Sequence, residues 1–168
     1  MDRVGDLAEK RTLFVRESDL VGTSFRRGRN LRIMSGVMAE DQRMRRVRPY
    51  YWGAIYISDA DCDTGFDIDF HNGEGPVLAT ATNVAVLVLH AGTVDEGAAD
   101  VTLEVRVTSQ RVDGFPYEVA FEVPSGRLYI GDADDSDEVA LRAGRWLLQF
   151  KVDDAVEAQH VDLVISPI

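Results

Sequence analysis

The stretch VTLEVRVT at residues 101–108 decides the fold class. Apolar residues stand at every second position, with Glu104 and Arg106 between them. Because successive side chains of a strand point to opposite faces, this alternation is typical of a β-strand with one buried face. YEVAFEV at residues 117–123 alternates in the same way, and NVAVLVLHA at residues 83–91 is the continuous apolar run of a strand buried on both faces. These stretches predict a sheet protein.

Turn signals separate these stretches from further short strands. HNGEGP at residues 71–76 and PSG at residues 124–126 are two of them. Short strands at regular spacing, with no long helical period, predict an all-β protein, an antiparallel β-sandwich with jelly-roll-like connections. The predicted strands cover residues 50–58, 77–82, 83–91, 101–108, 117–123, 127–130, 138–141, 146–152 and 160–165.

The N-terminal part differs in charge. Residues 1–48 hold 12 Lys/Arg and 7 Asp/Glu, a net of +5, whereas residues 49–168 hold 6 and 22, a net of -16. In the Arg-rich segment a helix is predicted from about Ser35, as its cap, to Val47. We therefore expect two regions, a basic, partly helical N-terminal arm at residues 1–48 and an acidic β-sandwich domain at residues 49–168, with the arm folding back on the domain. Three methionines are each compatible with a later translation start: Met34, Met38 and Met44.

Composition bounds the class of protein. The chain has 168 residues, of which 45% are apolar, enough for one domain with a sizeable core. Its single cysteine, Cys62, excludes a disulfide within the chain. Charged residues near the start and the lack of a long apolar run predict a cytoplasmic protein without a membrane segment. The net charge of -16 over residues 49–168 predicts that the main domain avoids nucleic acid and anionic membranes and attracts basic proteins.

A run of aspartates lies in YISDADCDTGFDIDF at residues 56–70. An EF-hand loop needs Gly at position 6 and Glu at position 12, and these places hold Thr64 and Phe70, so an EF-hand is excluded. If the strand continued through the run, alternate carboxylates would share one face above an apolar underside. Three interpretations stay open: a looser calcium site, a surface that grips a basic partner, and a solvated edge that discourages aggregation.

Catalytic motifs are absent from the sequence. It contains no G-x-S-x-G, H-E-x-x-H, C-x-x-C or P-loop pattern. His71, His90 and His160 are scattered along the chain. We therefore predict that the protein is not an enzyme and that it carries no cofactor, and we assign no residue as a metal ligand.

The second half of the chain carries a pattern of strands and turn residues. One strand holds Ser125, Gly126, Leu128, Tyr129 and Ile130, a loop and the apolar Val139 and Leu141 follow, then a G-R-W strand from Gly144, and a last strand ends at Leu163 to Pro167. Together with the aromatic strand at residues 50–58 and the aspartate run at residues 59–70, these features resemble competence protein J and related small β-sandwich nuclease inhibitors and immunity-type proteins, over about residues 49–168. The resemblance implies a module that inhibits a basic protein partner, such as a nuclease, by direct binding.

On that interpretation, carboxylates stand where DNA phosphates would bind in the partner, and two aromatic residues add buried area. The alternative is a calcium- or carbohydrate-binding β-sandwich, in which the aromatic residues stack on sugars. The candidate partner-binding residues are Asp59, Asp61, Asp63, Asp67, Asp69, Asp132, Asp134, Asp135, Asp137, Glu138, Tyr51 and Trp52.

Overall fold

A computed structural model describes residues 42–63, 67–70, 73–93 and 100–168, which all belong to one compact unit. These residues form ten β-strands and a single 3-10 turn at Ala91–Thr93. None of the helical structure in these residues is long and apolar enough to cross a membrane. The strands are β1 (Arg43–Pro49), β2 (Ala54–Asp59), β3 (Val77–Ala79), β4 (Asn83–Leu87), β5 (Asp100–Val107), β6 (Tyr117–Val123), β7 (Arg127–Gly131), β8 (Ser136–Ala140), β9 (Gly144–Val152) and β10 (His160–Pro167).

The strands form two five-stranded sheets. Sheet I has the order β1-β5-β10-β9-β6, and sheet II has the order β3-β4-β2-β7-β8. Neighbouring strands run antiparallel, except that β5 and β10 are parallel. The all-β prediction is confirmed. The predicted antiparallel pairing is found between all neighbouring strands described, with the exception of β5 and β10. The parallel pair arises because β10 returns from the end of the chain to the middle of sheet I, a long-range pairing that no local sequence pattern specifies.

One hydrophobic core lies against both sheets. The alternation at residues 101–108 places Val101, Leu103, Val105 and Val107 in this core, each at most 2% exposed. Sheet II contributes residues such as Ile57 to the same cluster. Two sheets that share one core are the arrangement of a β-sandwich, in which each fully buried Val, Leu or Ile contributes roughly 1.5–3 kcal/mol.

The helix predicted from about Ser35 to Val47 is wrong where it can be compared with the structure. Arg43–Pro49 is strand β1, which pairs antiparallel with β5 along its whole length. Met44 packs against the core, so pairing with β5 overrides a weak helical pattern. Residues 43–48 of the predicted arm therefore belong to sheet I. The rest of the arm, residues 1–41, lies outside the described residues and its separate character stays a prediction.

The strand predicted at residues 50–58 begins later than expected. Residues 50–53 form a turn in which the amide of Gly53 donates a hydrogen bond to the carbonyl of Tyr50 at 3.2 Å. Gly53 has φ of 65°, a conformation that glycine adopts without a steric penalty, so the chain turns here and β2 starts at Ala54. This turn leaves Tyr51 and Trp52 outside the sheet.

Candidate functional site

Asp59 is a buried residue that holds two segments together. Its Oδ2 accepts hydrogen bonds from the amide and hydroxyl of Ser125 at 3.0 and 2.8 Å, and its Oδ1 accepts one from the amide of Asp61 at 3.1 Å. Because β2 ends at Asp59, the strand does not continue through the aspartate run, and the condition for Asp59, Asp61 and Asp63 to share one face is not met. The carboxylate of Asp59 is turned inward and joins the end of β2 to the β6–β7 turn.

Arg127 connects the two acidic segments of the sequence. Its guanidinium bonds to the carboxylate of Asp61 and, at 3.3 Å, to Glu138 Oε2. All three side chains are about half exposed or more. Exposed ion pairs of this kind stabilise a fold by about 0–1 kcal/mol, so both carboxylates can exchange Arg127 for an external cation at little cost.

Asp132 anchors the loop between β7 and β8. Its side chain is fully buried, and its Oδ1 accepts hydrogen bonds from the amides of Asp134 and Asp135 at 3.1 and 3.0 Å. The Arg48 guanidinium reaches the same oxygen at 3.1 Å and donates to the carbonyl of Asp135 at 2.7 Å. Asp132 therefore shapes the connection between the two strands. We use the name acidic loop for residues 132–138, which comprise this connection and the first three residues of β8.

A second arginine of β1 reaches the acidic loop at Asp137. The Arg46 guanidinium makes a two-pronged contact with the Asp137 carboxylate, in which Nε donates to Oδ2 at 2.6 Å. This hydrogen bond from Arg46 lowers the pKa of Asp137, and burial opposes it. Arg46 and Arg48 both come from the predicted basic arm, so β1 places two of its charges against the acidic loop.

The remaining candidate aspartates, Asp63, Asp67, Asp69, Asp134 and Asp135, are exposed. Asp67 accepts hydrogen bonds from Asn83 Nδ2 at 3.0 Å and Thr80 Oγ1 at 2.8 Å, which lower its pKa. Asp63 and Asp134 are both exposed, and neither makes an ion pair with any residue in the described ranges. Asp69 and Asp135 are also exposed.

Tyr51 and Trp52 form an exposed aromatic turn between β1 and β2. They are 57% and 61% exposed, although large aromatic side chains are usually well covered. Tyr50, directly before them, is buried, and the Arg48 guanidinium stacks 4.2 Å from its ring centre. Burial raises the pKa of the Tyr50 phenol, and the Arg48 charge opposes it. Because Arg48 also bonds to Asp132, one arginine connects the start of the aromatic turn to the acidic loop.

The structure separates the twelve predicted residues by environment. Asp59 and Asp132 are turned inward, Asp61, Asp137 and Glu138 carry arginine partners, and the other acidic residues and both aromatic residues face solvent. Among the described residues, these acidic side chains do not gather into a group of three with ligand atoms within 4.8 Å of one another.

One further cluster was not predicted from the sequence. It consists of Glu104, His160 and Asp162, whose potential ligand atoms all lie within 4.8 Å of one another. The spacing of His160 and Asp162 in one strand was visible in the sequence. The neighbouring position of Glu104 was not, because it depends on the pairing of β5 with β10.

Comparison with known proteins identifies the fold. No protein-family model matches the chain, and no curated protein matches it in sequence. The crystal structure of ComJ, inhibitor of the DNA degrading activity of NucA, from Bacillus subtilis, is similar, with a TM-score of 0.53 and 12% identity over 79% of this chain and 100% of that chain. A structure named crocagin biosynthetic gene J has a TM-score of 0.49 and 12% identity over 76% of this chain and 98% of the other. The resemblance to competence protein J is thus confirmed as a shared fold.

Proposed function

We propose that the chain is a non-enzymatic protein-binding module that blocks a basic partner, such as a nuclease. The proposed surface consists of the acidic loop, the aromatic turn and two carboxylates that follow β2, Asp61 and Asp63. The observation that carries this proposal is that Tyr51 and Trp52 stand exposed on a turn tied by Arg48 to a loop of exposed carboxylates. The fold shared with ComJ, an inhibitor of a DNA-degrading activity, supports the inhibitory character. In this proposal the protein acts in the cytoplasm.

The chemistry of DNA cleavage explains why such a surface would inhibit. An enzyme that cuts DNA binds phosphates with Arg and Lys, and carboxylates form charge-assisted hydrogen bonds with the same groups. The net charge of -11 attracts a basic partner and repels DNA. The protein would therefore compete with DNA for the groove of the enzyme without binding DNA itself.

The carboxylates divide between structural and binding roles in this proposal. Asp59 and Asp132 stay inside and fix the loops. The exposed Asp63, Asp134 and Asp135 meet the partner's cations directly, and Asp61 and Glu138 do so by releasing Arg127. Tyr51 and Trp52 supply the rigid apolar contact area that dominates the energy of most interfaces.

The proposal is tested by affinity capture from a lysate of the source organism, in chelator and with elution by salt. The bait is the full chain, compared with the variant Tyr51→Ser/Trp52→Ser/Asp134→Asn. The matched control, Glu122→Gln/Val156→Ser/Ile168→Ser, also loses one exposed acid and two exposed apolar side chains, all outside the proposed surface.

We expect one basic protein in the eluates of the native chain and the control, and its loss with the surface variant. An empty eluate from the native chain, or equal recovery with all three baits, would overturn the proposal.

A further inference from the structure

We infer that Glu104, His160 and Asp162 form a binding site for a divalent transition ion on the outer face of sheet I. The ligand atoms of the three side chains all lie within 4.8 Å of one another. His160 Nε2 is 3.6 Å from Asp162 Oδ1. This site is separate from the acidic loop and the aromatic turn and does not depend on the proposed function.

The register of two central strands creates the cluster. β5 and β10 pair in parallel, and Asp162 stands directly opposite Glu104, while His160 stands opposite Thr102. Since residues two apart in a strand share a face, His160 and Asp162 point to the same side as Glu104. β1 and β9 flank these strands, so the backbone positions of the three side chains are fixed by hydrogen bonds on both sides.

Two like charges stand opposite each other in this register. A carboxylate pair at directly opposed positions destabilises a sheet unless a cation lies between or beside the two groups. Arg45 Nε lies 3.4 Å from Glu104 Oε1, and Lys151 stands opposite Asp162 in β9. Arg45 is two-thirds exposed, so it can move into solvent when a bound ion takes over the neutralising role.

The donor set favours a transition ion over calcium or magnesium. An imidazole nitrogen with two carboxylates suits Zn²⁺ and its neighbours, whereas Ca²⁺ and Mg²⁺ prefer oxygen alone. In a tetrahedral Zn²⁺ site ligand atoms lie about 3.3 Å apart, since each is about 2.0–2.1 Å from the ion. Atoms now within 4.8 Å of one another need to approach by no more than about 1.5 Å to reach that spacing. All three side chains are partly exposed, so water can complete the coordination.

The test is titration of the full chain with Zn²⁺ by isothermal titration calorimetry. Cys62→Ser is the background, because a thiol is a competing zinc ligand. We expect one Zn²⁺ to bind per chain. The affinity for Zn²⁺ should be lower by a factor of at least about ten in His160→Asn and in Glu104→Gln. The control is His90→Asn, since His90 lies outside the cluster, where its Nδ1 accepts a hydrogen bond from the Gly92 amide.

A second readout separates loss of a ligand from loss of the fold. Zn²⁺ should raise the melting temperature of the background and of His90→Asn, and not that of the two cluster variants, because only the folded chain holds the site. In chelator the cluster variants should melt as cooperatively as the background. Absence of Zn²⁺ binding, or equal affinity and equal melting shifts in the cluster variants and the control, would overturn the inference. Because the partner capture is run in chelator, its result is independent of this one.

Discussion

Asp132 shows at the scale of one residue how a carboxylate in a highly charged segment becomes structural. Its Oδ1 joins Arg48 to two amides of the acidic loop, and its Oδ2 is buried without a hydrogen-bond partner among the described residues. The neighbouring Asp134 is exposed. Two aspartates in one loop therefore have different roles, which depend on burial.

This difference predicts unequal effects of alanine substitution. Asp132→Ala leaves a partly buried Arg48 and two amides without their acceptor, and we expect it to lower the free energy of unfolding by about 2–4 kcal/mol. The control Asp134→Ala should change it by no more than about 0.5 kcal/mol. Urea unfolding at neutral pH measures both, and equal effects would refute the anchoring role.

The ion pair between Asp137 and Arg46 should make the stability of the fold depend on pH. Its pKa is lowered by the hydrogen bond from Arg46, so its contribution is complete above the pKa of the unfolded chain, about 3.9, and is lost as the pH falls through the lower pKa of the folded chain. Asp137→Asn should therefore be less stable than the native chain at pH 7, and this difference should shrink in acid.

Urea midpoints at a series of pH values check this prediction. Asp63→Asn is the control, because Asp63 makes no ion pair with a described residue. It should follow the native chain throughout. If the difference in urea midpoint between the native chain and Asp137→Asn stays constant down to pH 2, the Arg46–Asp137 pair does not stabilise the fold as proposed.

At the scale of elements, β1 carries the main difference between expectation and structure. The nine predicted strands overlap β2 to β10, because alternation and turn residues are local signals. β1 was missed because RMRRVRP at Arg43–Pro49 has charges on both faces, as an edge strand does, and only its pairing with β5 makes it a strand.

The register of β1 can be tested by cross-linking. Arg43 and Arg106 are direct partners, and opposed residues of antiparallel strands have Cα atoms about 4.5–5.5 Å apart, within disulfide range. In the Cys62→Ser background, Arg43→Cys/Arg106→Cys should form a disulfide readily under mild oxidation. Met44→Cys/Arg106→Cys should not, because Met44 packs toward the core. Mass spectrometry measures both, and a helix at these residues would give no preference for the facing pair.

The two proposed sites could be predicted from the sequence to different degrees, because contacts between distant segments of the chain are not visible in it. The acidic residues and the aromatic pair were visible in the sequence, but their separation into buried and exposed groups depends on contacts such as Asp59 with Ser125, 66 positions apart. The Glu104–His160–Asp162 cluster depends wholly on the pairing of β5 with β10. Sequence reasoning therefore finds chemistry within one strand more readily than chemistry shared between strands.

At the scale of the whole molecule, the charge predicts how binding responds to salt. A chain of net charge -11 should attract a basic partner over distances comparable with the Debye length, about 10 Å at 0.1 M salt. We expect the association rate with the captured partner to fall roughly tenfold or more between low and physiological ionic strength, and less steeply for Asp63→Asn/Asp134→Asn. Stopped-flow fluorescence measures this rate. A rate that is flat across ionic strength would argue against electrostatic attraction.

The central claim is that the acidic loop and the aromatic turn block a basic, DNA-degrading partner. Its most direct test is DNA degradation by the captured protein, measured while the full chain is titrated in chelator-free buffer that contains the metal ion the partner needs. The native chain and the Glu122→Gln/Val156→Ser/Ile168→Ser control should stop degradation at about one equivalent, and Tyr51→Ser/Trp52→Ser/Asp134→Asn should need roughly tenfold more or fail. Degradation that continues with the native chain in excess, or equal inhibition by the surface variant, would contradict the claim.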